Sequence, residues 1–66
     1  MNLSEYSKAL NKTYRAANSG NKYTLEYRTA WNNGFMEAVW RLAQVISKQD
    51  PDFNINSFLN DVTRIV

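Results

Sequence analysis

The stretch Thr24 to Lys48, TLEYRTAWNNGFMEAVWRLAQVISK, holds both tryptophans of the chain and is expected to supply most of its core. Turned at 100° per residue from Phe35, it brings Tyr27, Trp31, Phe35, Ala38, Val39, Leu42, Val45 and Ile46 within roughly 120° of one another. That is one apolar stripe at helical spacing. A strand would need strict alternation, which the polar pairs Arg28-Thr29 and Asn32-Asn33 break. Asn33-Gly34 interrupts the pattern with a pair common in hairpin turns. The stripe nevertheless keeps its phase across it, with Trp31 one turn before Phe35, so a single unbroken helix is expected over about 24–48. A glycine in mid-helix costs about 1 kcal/mol relative to alanine. Its expected use is close approach by a neighbouring helix or an aromatic ring, with a kink as the alternative.

A second ridge lies beside the stripe. Leu25, Met36, Trp40 and Ala43 fall roughly 80 to 140° from Phe35, which widens the apolar arc to nearly 220°. A helix apolar over more than half its circumference is either covered by helices on both sides or gives one flank to another chain. Met36 and Trp40, with Arg41 next to them in sequence, are the expected partner-binding or self-association surface. Tryptophan, methionine and arginine are enriched at interface centres.

The flanking segments are also helical. Ser4 suits an N-cap, with Glu5 in the first turn, and helix 1 is expected over about 4–17. Leu3, Tyr6, Leu10, Thr13, Tyr14 and Ala17 share its inner face, and Lys8, Lys12 and Arg15 line the opposite one. Asn18-Ser19-Gly20-Asn21 reads as a turn with Gly20 as a left-handed cap, and Thr24 caps the next helix. A loop this short makes helices 1 and 2 antiparallel neighbours with their apolar faces together. Asp50-Pro51-Asp52-Phe53 ends helix 2. Asn54 then caps a third helix over about 55–64, with Phe53 as a hydrophobic staple and Ile55, Phe58, Leu59, Val62 and Ile65 as its apolar face. The expected architecture is all-α: a single helical domain spanning residues 1–66, with a long central helix between two shorter ones.

Sixty-six residues bury only about 60% of the surface the unfolded chain exposes. There is no cysteine and no histidine, so disulfide staples and the usual zinc sites are excluded. Support is left to two tryptophans, four tyrosines and three phenylalanines, and to oligomerisation. Met1 to Gly20 has no long apolar run, which points to a cytoplasmic chain with no membrane partner. The net charge of +2 permits nucleic-acid contact without requiring it. The stripe Lys8, Lys12 and Arg15 suits a phosphate backbone or an acidic protein surface; it is also what an ordinary solvated helix face looks like. Tyr6, Tyr14, Tyr23 and Tyr27 lie near Lys8, Lys12, Lys22 and Arg28, an arrangement that suits single strands, although tyrosines at helical spacing usually belong to a core.

Catalytic chemistry has little to work with. General acid–base catalysis leans on histidine or tuned carboxylates. Glu26 and Glu37 share a face that also carries Asn33, Gln44 and Lys48 and reads as solvent-facing. Asp50 and Asp52 are turn residues without the ligand run of a calcium loop. No phosphate-binding glycine loop or nucleophile elbow occurs. No catalytic residues, metal ligands or cofactor are expected, and the chain reads as a non-enzyme.

The run from Trp31 through Leu59, with Trp31, Ala38 and Ala43 on a helix followed by Pro51-Asp52-Phe53-Asn54 and Phe58-Leu59, resembles short helical proteins of unknown function common in tailed phages and prophages. Many of those close with proline, any residue, phenylalanine, Asp or Asn, then a phenylalanine–leucine pair. The resemblance implies a non-catalytic accessory protein that binds and blocks a host enzyme or defence complex, a CRISPR-type nuclease being one version. The surface it implies combines Met36, Trp40 and Arg41 with Lys8, Lys12 and Arg15. The alternative is a nucleic-acid or nucleotide-binding helical oligomer.

Overall fold

The computed structural model describes residues 3–20 and 22–65. These form three helices, α1 (Leu3–Asn18), α2 (Leu25–Gln49) and α3 (Ile55–Val62), with no strand among the described residues. The helix boundaries follow from local chemistry. Gly20 takes φ +70° after α1, a conformation open to glycine at little cost. The Thr24 hydroxyl accepts the Tyr27 amide N–H at 3.1 Å and caps α2. At the other end the Asp50 carboxylate accepts the Asp52 N–H at 3.0 Å across Pro51, fixing the turn where the helix stops. Asn54 Oδ1 then accepts the Ser57 N–H at 2.9 Å, and the Phe53 ring lies 5.3 Å from that of Phe58. This is a capped helix start with its apolar staple. Helix α1 begins at Leu3, so Ser4 stands inside its first turn and not at its cap; the residues before Leu3 lie outside the described residues.

The core sits where α3 meets the other two helices. Val39 and Ala43 of α2 and Phe58 and Val62 of α3 are buried together, with Leu10, Phe35, Phe53, Ile55 and Leu59 packed around them. Helix α1 packs more extensively against α3 than against α2. The Asn11 amide donates to the carbonyls of Val62 and Arg64, both at 2.8 Å, and so satisfies acceptors that the end of α3 leaves open. Toward its C-terminus α1 meets α2 through Tyr14, whose ring lies 6.4 Å from Trp31 and 5.8 Å from Phe35. A reciprocal amide pair, Asn18 with Asn32 at 2.8 Å in each direction, sits beside it. The expected face-to-face packing of α1 on α2 is thus concentrated at one end, and α3 fills the rest.

This arrangement rotates α2 away from the stripe expected of it. Val39, Ala43 and Ile46 are buried, and Phe35 and Met36 are half-buried. Tyr27, Ala38, Leu42 and Val45, expected inside, are exposed. Ala43, placed on the side ridge, is fully buried, while Leu25 on that ridge is exposed. The reason is contact size. Helix α3 is only eight residues long, and the small Ala43 side chain lets its Phe58 and Val62 come close, so α2 turns toward alanine and not toward its bulkiest face.

The same rule acts on α1, where Ser7 is buried and the expected Tyr6 and Thr13 are exposed. The Ser7 hydroxyl donates to the Ser4 carbonyl at 3.1 Å, so its burial leaves no unmet donor. Ile65 lies past the end of α3 and is exposed, so it adds nothing to that helix's apolar face. Gly34 lies within unbroken α2, but a methyl built on it meets nothing within 4 Å, so no part of this chain makes the close approach expected there.

Two melting experiments check this packing. Gly34→Ala, measured at low concentration, raises stability by about 1 kcal/mol, whereas Gly20→Ala lowers it because φ is positive there. Phe58→Ala removes about 3–5 kcal/mol, a large share of the roughly 3–10 kcal/mol a chain this size has, and abolishes the cooperative thermal transition seen by circular dichroism.

Candidate functional site

The six residues expected to form one surface occupy three places. Trp40 is 44% exposed, and half-buried Met36 lies one turn before it, on the flank of α2 opposite Tyr27 and Trp31. Arg41, adjacent to Trp40 in sequence, is turned about 100° further around the helix. It lies on the outer face and pairs with Glu37 at 3.2 Å, both side chains largely in solvent. A pair of this kind contributes only about 0.3–0.5 kcal/mol.

Lys8, Lys12 and Arg15 are exposed along α1. Lys8 borders a notch with Ser4, Ser7, Asn11, Asp61 and Arg64, a group that includes none of Met36, Trp40 and Arg41. Asp61 and Arg64 pair across that notch at 3.5 Å. Lys8 therefore borders α3 and not the tryptophan.

Two further features lie outside those six residues, the second of them built from tyrosines and cations that the sequence had already placed near one another. Along the other flank of α2, Leu42 is 42% and Val45 52% exposed, beside Gly34 and Ala38, both also exposed. Their signal was present in the sequence, since Ala38 and Val45 lie on the side of the stripe away from Ala43 and Leu42 lies at its centre, so a core centred toward Ala43 strands them.

The second feature is aromatic. Tyr23 and Tyr27 stack with ring centroids 4.5 Å apart, and the Lys22 ammonium sits 5.4 Å from the Tyr23 ring. With Thr13, Ala16, Ala17 and Trp31 they line a shallow notch of about 210 Å³. Tyr6 and Tyr27 are exposed and Tyr14 and Tyr23 half-buried, so none of the four tyrosines is a fully enclosed core residue. Nearby on α2, half-buried Arg28 keeps its Nε shielded without a hydrogen-bond partner among the described residues, an arrangement that costs on the order of 1–3 kcal/mol.

Glu26 and Glu37 are exposed, on the solvent-facing side of α2. Among the described residues no group of three or more carboxylate, histidine or cysteine side chains is arranged to hold a metal ion, and no helix is long and apolar enough to cross a membrane. No family model matches the chain, and neither a curated protein nor a solved structure shows significant similarity to it.

The two tryptophans give a direct check, because Trp31 is half-buried and stacked on Phe35 at 4.7 Å, while Trp40 is exposed and no ring among the described residues stacks on it. In a Trp31→Phe chain the remaining emission from Trp40 is red-shifted and strongly quenched by acrylamide. In a Trp40→Phe chain the emission from Trp31 is bluer and less quenched.

Proposed function

We propose that this chain is a non-catalytic binding protein that docks on another protein through the Trp40 flank of α2. A half-exposed tryptophan held on a rigid helix beside a methionine has the composition of an interface centre. The exposure of Trp40 is the observation that carries the reading. The resemblance of Trp31 to Leu59 to small phage proteins directs it toward a host enzyme or defence complex as the partner, which the protein inhibits or sequesters in the host cytosol. Lys8, Lys12 and Arg15 then act at a distance, steering the protein toward an acidic partner surface and not sharing the apolar contact. Arg41, engaged with Glu37 on the outer face, belongs to the rim of that surface.

A second reading is favoured by the exposed tyrosines: stacking of bases on Tyr23 and Tyr27, with Lys22, Arg28 and the α1 cations following the phosphates. Salt separates the two readings. Binding through phosphates weakens steeply as salt rises, whereas a buried apolar contact responds little.

The test is affinity capture from host lysate with the intact chain and with Trp40→Ala, at low and high salt. The proposal expects one protein species that persists in high salt and falls at least tenfold with Trp40→Ala. Capture of nucleic acid alone, lost at high salt and unaffected by Trp40→Ala, overturns it in favour of the second reading.

A further inference from the structure

The Trp40 flank leaves the opposite side of α2 unexplained. There Gly34, Ala38, Leu42 and Val45 form an exposed apolar strip, and space is open above Gly34. We propose that this strip is the contact through which two copies of the chain pair, with their α2 helices antiparallel about a two-fold axis near Ala38.

The surface area of the molecule argues for a second copy. A compact monomer of 7.7 kDa exposes about 4,300 Å², whereas this chain exposes 4977 Å². The surplus, roughly 650 Å², approaches the ~800 Å² that each partner hides in a standard interface. The radius of gyration tells the same story, at 12.6 Å against about 10.8 Å for a compact chain of this length. Small domains often add a disulfide, a metal or an oligomer to a modest core. With no cysteine and no histidine in the sequence, pairing is the one of these three most open to this chain.

Register selects the antiparallel arrangement. About a two-fold at Ala38, Leu42 of one copy lies over Gly34 of the other, so the largest side chain of the strip fills the emptiest place on its mate. A parallel pair would set Leu42 on Leu42 and leave the glycines facing a void. Glu37 and Arg41 lie on the same edge of the strip, and the antiparallel two-fold keeps like edges together with their order reversed. Each Glu37 then lies as near along the axis to the Glu37 of the other copy as to its Arg41, so the rim charges balance and do not set the direction. Their 3.2 Å intrachain pair becomes part of a four-charge cluster at the rim. Trp40, on the far flank, stays free; of the surface proposed for the other protein, pairing engages only the rim residue Arg41.

The experiment is sedimentation equilibrium on the intact chain and on Gly34→Glu, with circular dichroism on both. Glutamate is a better helix former than glycine and has open space in the single subunit, so the variant keeps its helical signal. The wild type is expected at twice 7.7 kDa and Gly34→Glu at 7.7 kDa. Trp40→Ala is expected to remain dimeric, so loss of partner capture in that variant reads on the proposed function alone. Because the chain has no native cysteine, Ala38→Cys provides a register check: it cross-links to itself under mild oxidation, and Leu42→Cys does not. A monomeric wild type, a dimeric Gly34→Glu, or self-cross-linking of Leu42→Cys as efficient as that of Ala38→Cys overturns the inference.

Discussion

Everything in this molecule depends on the seam between α2 and α3, where Phe58 and Val62 close over Val39 and Ala43. The seam is small, since α3 offers barely two turns and its two buried side chains must find a surface they can approach closely. Alanine at position 43 provides that surface. Once Ala43 is inside, the rotation of α2 about its axis is set where α3 meets it; Leu25, on the same ridge but beyond the reach of α3, stays exposed. The staple of Phe53 on Phe58 and the Asn54 cap hold α3 at the start of this seam, and Asn11 holds its end.

A narrow seam has consequences on both sides. Helix α2 is apolar around far more of its circumference than α3 and the end of α1 together cover. One flank keeps Trp40 in reach of solvent, and the other keeps Leu42 and Val45 there. In an isolated chain this is surface without a use, and it comes at the expense of stability in a domain that has little to spare. Covered by a partner, as proposed, the same surface would add to the stability of a chain whose own core is made of mostly small side chains. Binding to the native form adds to stability in proportion to affinity and concentration.

Much of the fold was legible in the sequence. The helical period of residues 24–48, the turn at Gly20, the stop at Pro51 and the caps at Thr24 and Asn54 are local signals, and local geometry obeys them. Orientation was less legible. The apolar moment of α2 points between Phe35 and Leu42, but the packing direction was decided by which residue is small enough to admit a neighbour, a property of the pair and not of either helix. That is why Ala43 and Ser7 were undervalued and Tyr6, Leu42 and Val45 overvalued. The exposure of Trp40 was one of two alternatives the wide apolar arc left open, and the short α3 decides it, covering Ala43 on that ridge but not Trp40. The place of Arg41 was not legible, because adjacency in sequence says little about adjacency on a helix.

The claim beneath the packing account and the pairing inferred from it is that the single subunit encloses the seam and leaves the Leu42–Val45 edge of α2 outside. Methyl-resolved magnetic resonance of the Gly34→Glu chain, with a soluble paramagnetic agent, addresses it residue by residue. Methyls of Val39, Ala43 and Val62 should stay sharp while those of Leu42 and Val45 broaden as the agent is added. Equal protection of all five would mean that the subunit conceals its own apolar edge, and would contradict the account.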